Sequence, residues 1–200
     1  MYKTAIILAG GRSARMGEDK AFLRFGDTTL IERILGELRP HFEDMILVSN
    51  HPERFMHLED VRIVSDVHPG QGPLGGIFSG LLASRGHHNL VVSCDMPFLN
   101  HLLLDYMWSL REWGDVVVPL THEALSPMCA IYAREVLPAL ASALAAGERK
   151  VMGLYPKLRV HYIREDELKA YDPELRSFRN LNTPADYRAA LEEYAAIQEA

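Results

Sequence analysis

Cysteine is scarce, with only Cys94 and Cys129 in 200 residues, both inside apolar runs. That excludes a disulfide framework and a zinc site of paired-ligand spacing, and leaves reduced, buried thiols with no chemical role. No hydrophobic run approaches spanning length: residues 5–9 supply five apolar positions before two glycines, too short for a signal segment or a membrane helix, so a cytoplasmic protein is expected. Positive charge is in deficit. With 21 Lys and Arg against 27 Asp and Glu, the net charge of -6 argues against a nucleic-acid or anionic-membrane binder held by counterion release, so an anionic ligand must be held locally. None of the nine histidines forms an HxxxH or HExxH pattern, and His87-His88, between Gly86 and Asn89, reads as a solvated turn rather than a metal site. Repeats, low-complexity segments and Pro/Gly-rich linkers are absent as well.

What is present is an ordinary globular composition, 48% hydrophobic and 24% charged, in a chain of single-domain length. Aliphatic and β-branched runs at 4–9, 45–49, 61–64, 90–94 and 116–119 predict strands buried on both faces. Helical spacing predicts helices at 28–38, 77–83 and, after an Asn100 cap, 102–113. The alternation is βαβαβ, so the fold class is α/β with a mostly parallel sheet. Past residue 120 the reading is a strand at 128–132, a helix at 135–146, a strand at 159–163 and a last helix from Pro184, with Thr183 as its cap and Asp186 near its positive end.

The strongest local signal is LAGGRSARMGEDK, residues 8–20, directly after the first strand. Gly10 and Gly11 remove the Cβ that blocks close backbone approach, so successive N–H groups can converge on an anion while Arg12, Arg15 and Lys20 add charge. The spacing is neither GxGxxG nor GxxxxGK[ST]. A bare strand-ending turn would account for the glycines alone, but three cations in nine residues repel one another unless an anion lies among them.

Other candidates also stand at predicted strand ends. Asp95 closes the apolar run at 90–94, at the edge where open parallel sheets bind ligands, and one carboxylate there suits Mg²⁺ completed by phosphates and waters. The plainer alternative is an Asp that caps the following turn. Asp66 precedes the glycine-rich stretch 70–76, which serves either as a close-approach loop or as a surface connection. Asn50 could read a base or ribose through its amide, or belong to a simple Asn-His-Pro turn. Asn180 and Asn182 precede the last helix, as caps or as ligands near its N–H groups. Arg149 and Lys150 form a solvated face or a hand for a second phosphorylated substrate.

Together LAGGRSARMGEDK, GPLGGIFSG, CDMPF, GERKVM and NLNTPADY resemble the molybdenum cofactor guanylyltransferases, in the same order from residue 6 to about residue 187. The resemblance implies a Rossmann-like three-layer αβα nucleotidyltransferase fold. It implies a single domain, 1–200, with a nucleotide-binding half at about 1–120 and an acceptor-binding half at about 121–200. Leu8, Ala9, Gly10 and Gly11 would meet GTP through backbone, Lys20 and Arg15 its phosphates, Asn50 and Asp66 the guanosine portion, and Asp95 both nucleotide and Mg²⁺. Arg149, Lys150, Asn180 and Asn182 would hold the acceptor, molybdenum-bound molybdopterin. The double glycine after Leu8-Ala9 resembles guanylyl rather than cytidylyl enzymes. The reaction implied is in-line attack by an acceptor phosphate oxygen on the α-phosphorus of GTP, releasing pyrophosphate, in a monomer that meets upstream cofactor-biosynthesis proteins and molybdoenzyme chaperones. Transfer of CMP, a different phosphorylated acceptor, and a GTP-binding module without turnover are the rival readings.

Overall fold

Residues 4–8 pack between two strands far along the chain, and the whole architecture radiates from that position. The structure, a computed structural model, describes residues 2–9, 20–121 and 124–198. The expected strands appear as β1 (Thr4–Leu8), β4 (Asp44–Ser49), β5 (Arg62–Ser65), β6 (His88–Ser93), β7 (Val116–Leu120), β8 (Cys129–Ala133) and β9 (Val160–Arg164), joined in one sheet in the order β5-β4-β1-β6-β8-β7-β9. All neighbours are parallel except β8, which runs against both β6 and β7. Because β8 lies between β6 and β7, the later part of the chain is woven into the sheet built by the earlier part.

Period-2 alternation makes the layers. Ala5, Ile7 and Ala9 face a core with α1 (Leu30–Leu38) and α3 (His101–Ser109), while Ile6 and Leu8 face α2 (Pro73–Ala83) and α4 (Leu137–Ala145). Helix α1 buries Leu30, Ile31, Ile34, Leu35 and Leu38 and starts on a capping box between Thr29 and Glu32. Helix α2 lies tight on β1: a Cβ at Gly80 would stand 2.3 Å from Ile6 Cγ2. A third cluster, Phe25, Leu30, Phe98, Leu181 and Ala190, attaches the final helix α6 (Pro184–Gln198).

Several boundaries differ from expectation for physical reasons. Helix α2 begins at Pro73 rather than 77, since Gly72 at φ 66 turns the chain and proline suits the first helical turn. The 102–113 helix ends at Ser109 and continues as a 3-10 turn at Arg111–Trp113; the 135–146 helix begins as one at Arg134–Val136. Strands β2 (Arg24–Phe25) and β3 (Thr28–Thr29), the 3-10 stretch Val151–Lys157 and the five-residue α5 (Glu165–Lys169) are too short to show a period. His88 corrects the turn reading of the His87-His88 pair. It opens β6 at 5% exposure, and burial first of all pushes its imidazole below the usual value.

Buried polar groups fix the amino-terminal edge of the sheet. Arg62 grips both oxygens of Asp44 at 2.8 Å, Thr4 donates to the same carboxylate, and Asn89 is held among Ser84, Gly86, His87 and the Tyr132 carbonyl. The opposite, carboxyl-terminal edge carries the candidate ligand residues.

Candidate active site

Strands β1, β4, β5 and β6 end together, so Ala9, Asn50, Asp66 and Asp95 all emerge at that edge. Its framework is backbone: Ala9 N donates to Val48 O, Cys94 N to Leu8 O and Asp66 N to Ser49 O, at 2.9–3.1 Å. The Ala9 N–H and Leu8 carbonyl thus extend the sheet. Gly10, Gly11 and Arg15, with Arg12, lie outside the described residues.

Lys20 is the first described residue after that loop, at the start of a 3-10 turn anchored by Phe22 stacked on Phe55 at 4.9 Å. Its ammonium donates to Asp95 Oδ2 at 2.9 Å and to Asn182 Oδ1 at 3.1 Å. Asp95 is set from its other side by Ser93 Oγ, 2.6 Å from Oδ1, and its carbonyl accepts from Leu181 N at 3.0 Å. Burial of Leu181 in the third core cluster therefore fixes the Asn182 amide beside the Lys20–Asp95 pair. Below it Thr183 caps α6. The Thr183 side chain first, then the N–H groups of Thr183 and Asn182, hold the Asp186 carboxyl below the usual range.

Asp66 is fixed independently: Oδ1 accepts from His68 N at 2.9 Å and from Ser79 Oγ at 3.0 Å. Gly75 makes this possible, since a Cβ there would lie 2.8 Å from the His68 carbonyl and 3.2 Å from Asp66 Oδ1. Asn50 is exposed at the end of β4. Arg149 and Lys150 are also exposed, with both backbone N–H groups donating to Glu148 Oε1 at 2.8 Å. A Cβ on Gly72 would face the Arg149 carbonyl at 3.8 Å, so this loop flanks the glycine stretch.

Lys20, Asp95 and Asn182 are thus brought together, whereas the acceptor candidates are divided. Val151, next to Lys150, packs into the α2–α4 core; Leu181, between Asn180 and Asn182, packs with α6 on the other layer. The sequence reading missed Ser93 and Ser79, which orient the two aspartates, although a serine two residues before Asp95 is a local-turn signal. Among the described residues no group of three or more His, Cys, Asp or Glu could hold a metal. One partly buried carboxylate fits Mg²⁺, which keeps waters and substrate phosphates as its remaining ligands, and does not fit a structural zinc cage.

Residues 5–161 match the MobA-like NTP transferase domain. The chain belongs to this family. A relative named a probable molybdenum cofactor guanylyltransferase, from Pelotomaculum thermopropionicum, is 39% identical over 93% of this chain and 90% of its own. Among solved structures, the molybdopterin-guanine dinucleotide biosynthesis protein A of Archaeoglobus fulgidus superposes with a TM-score of 0.87 at 28% identity, covering 96% of this chain and 99% of its own. A 2-C-methyl-D-erythritol 4-phosphate cytidylyltransferase from Thermus thermophilus shares the fold at a TM-score of 0.71 and 18% identity, covering 98% and 100%. The three-layer fold is that of the nucleotidyltransferases, and family membership implies a nucleotide substrate. Among the described residues no helix is long and apolar enough to cross a membrane.

Proposed function

We propose that this protein transfers GMP from GTP to the terminal phosphate of molybdenum-bound molybdopterin, forming the guanine dinucleotide cofactor and releasing pyrophosphate. The observation that carries the reading is the meeting of Lys20, Asp95 and Asn182 at the carboxyl edge of the sheet. The names of the relatives supply the base and the acceptor. An oxygen of the acceptor phosphate attacks the α-phosphorus, the bond to the bridging α–β oxygen breaks, and pyrophosphate leaves with that electron pair. The attacking oxygen is already anionic near neutral pH, so the obstacle is repulsion between polyanions rather than the lack of a base.

Charge placement therefore governs the site. Lys20, Arg15 and the N–H groups of Gly10 and Gly11 bind the triphosphate and stabilise charge on the leaving pyrophosphate. Asp95 would hold Mg²⁺, which would supply neutralisation at the α-phosphate. Asp66 and Asn50 bind the guanosine portion, and Leu8 and Ala9 contact the GTP through backbone. Residues 1–120 form the nucleotide half and 121–200 the acceptor half, with Asn180, Asn182, Arg149 and Lys150 on the acceptor. Asn182 also touches Lys20, which couples the halves. We place this reaction in the cytoplasm, carried out by a monomer that receives its acceptor from upstream biosynthesis proteins and passes its product to molybdoenzyme chaperones.

The test is pyrophosphate release from each of the four nucleoside triphosphates, with Mg²⁺ and molybdopterin as acceptor. Acceptor-dependent release with GTP alone is expected. Preference for CTP would move the protein to the cytidylyl branch, and GTP binding without release would overturn transfer altogether.

A further inference from the structure

Asp95 and Asn182 lie far apart in the chain, yet two facing segments tie them into one unit. Residues 95–100, leading from β6 to the cap of α3, lie against residues 171–181, which run in the opposite sense. Leu181 N donates to Asp95 O at 3.0 Å, and Asn100 Nδ2 donates to Tyr171 O at 2.9 Å. Between these ends Ser177 Oγ donates to Phe98 O at 3.2 Å and accepts from Asn100 N at 3.0 Å. Ser177 is 0% exposed, so no water can replace its hydroxyl in this double link.

The 171–181 strap has its own brace. Asp172, 5% exposed, accepts from Arg176 N at 3.2 Å and Ser177 N at 2.8 Å, and its carbonyl accepts from Leu175 N at 2.9 Å. Within that loop Leu175 is held at φ 53, a left-handed conformation that side chains with a Cβ rarely adopt. Such strain persists only where the surroundings impose it, and it gathers at functional sites. Strap residues Leu175, Phe178 and Asn180 line, with Met96, a cavity of about 530 Å³, so the braced segment also walls a space of small-molecule size.

We infer that Ser177 and Asp172 are positioning residues for the transfer reaction, setting the Asn182 amide against Lys20 and Asp95 and acting on turnover through it. The inference rests on the proposed reaction taking place at that cluster. Ser177 hydrogen-bonds to none of the three, but it fixes the strap to the segment that Asp95 begins. Without it, the strap keeps the Leu181 link beside Asn182 but loses the clamp that sets its angle. Displacing a site group by about 1 Å can cost up to about 100-fold in rate.

The experiment is a double-mutant cycle on the full chain: Ser177→Ala, Asn182→Ala and the two combined, read by kcat, by KM for GTP and by Tm. Asp172→Asn, an isosteric change, replaces Ser177→Ala in a second cycle and carries the test alone if the serine variant does not fold. Each brace variant should lower kcat on the order of tenfold in the wild-type background, with KM for GTP within about twofold. In the Asn182→Ala background the same change should leave kcat where it is, because the group being positioned is gone. Equal fold-losses in both backgrounds would mean a purely structural role and overturn the inference. Wild-type kcat in both brace variants, or in Asn182→Ala itself, would overturn it too while leaving guanylyl transfer intact. A wild-type protein that releases no pyrophosphate from any nucleoside triphosphate would instead overturn the reaction on which it rests.

Discussion

Lys20 Nζ lies 2.9 Å from Asp95 Oδ2, with 16% and 14% of the two side chains exposed. An ion pair this far from water is steady only while both charges stay, because removing one leaves the other uncompensated. In the proposed reaction the triphosphate competes for the lysine and the cation for the aspartate, so substrates exchange one set of charge partners for another.

Asp95→Asn separates these roles. The amide retains a carbonyl oxygen for Lys20 or Ser93, so the fold should hold. Turnover should fall about 100-fold or more, the scale of losing one preorganised electrostatic group. GTP affinity in EDTA should rise, since Lys20 no longer faces a competing carboxylate. Pyrophosphate release and nucleotide titrations with and without Mg²⁺ measure both; wild-type turnover in the variant would remove Asp95 from the mechanism.

Two glycines make a matched pair. Gly75→Ala puts a Cβ 2.8 Å from the His68 carbonyl, a backbone atom, and displaces Asp66; GTP KM should rise on the order of tenfold. Gly36, inside α1, has nothing within 4 Å of its Cβ position, so Gly36→Ala should raise stability by about 0.5–1 kcal/mol without touching kinetics. Urea unfolding and GTP kinetics on both variants check the contrast.

Strand positions were legible because β1, β4, β6 and β7 are buried on both faces and read as unbroken aliphatic runs. The direction of β8 was not, since CAIYA carries the same apolar signature whichever way it runs. Strands β2 and β3, two residues each, are too short for a period to exist. His88 looked solvated beside Gly86, yet its pairing with Ala133 places it inside the sheet.

The site divides in the same way. Lys20, Asp95 and Asn182 stood out by residue type and by their places after strands or before a helix, but no local pattern predicts that residues 162 apart share a hydrogen bond.

At the far edge of the sheet, acid stability should depend on Asp44. Burial acts to raise its carboxyl, but the Arg62 hydrogen bonds and charge, then Arg85 N and Thr4, outweigh it and hold the group below the usual range. A depressed folded value contributes stability that is fully present above the unfolded carboxylate value of about 3.9 and is lost as pH falls through the folded one. Asp44→Asn should therefore cost about 2 kcal/mol at pH 7, discounted because Arg62 is 35% exposed, and the gap to wild type should close below about pH 4. Urea melts across that range decide; a constant gap down to acid pH would mean the pair does not carry the titration.

The Tyr132 hydroxyl, fully enclosed, donates to the Pro127 carbonyl at 2.8 Å, so Tyr155, 3.3 Å away, must be the donor between the two phenols. Burial above all pushes both phenols up, Tyr155 to about 12, which keeps them neutral and able to donate. Tyr132→Phe strands two groups, the Pro127 carbonyl and the Tyr155 hydroxyl, and should cost about 2 kcal/mol. Tyr155→Phe strands none of the Pro127 bond and should cost less, about 1 kcal/mol. The double variant should fall short of the sum, because the two hydroxyls lose a shared partner only once. Equal costs for the two single variants in urea unfolding would show that the phenols do not form this relay.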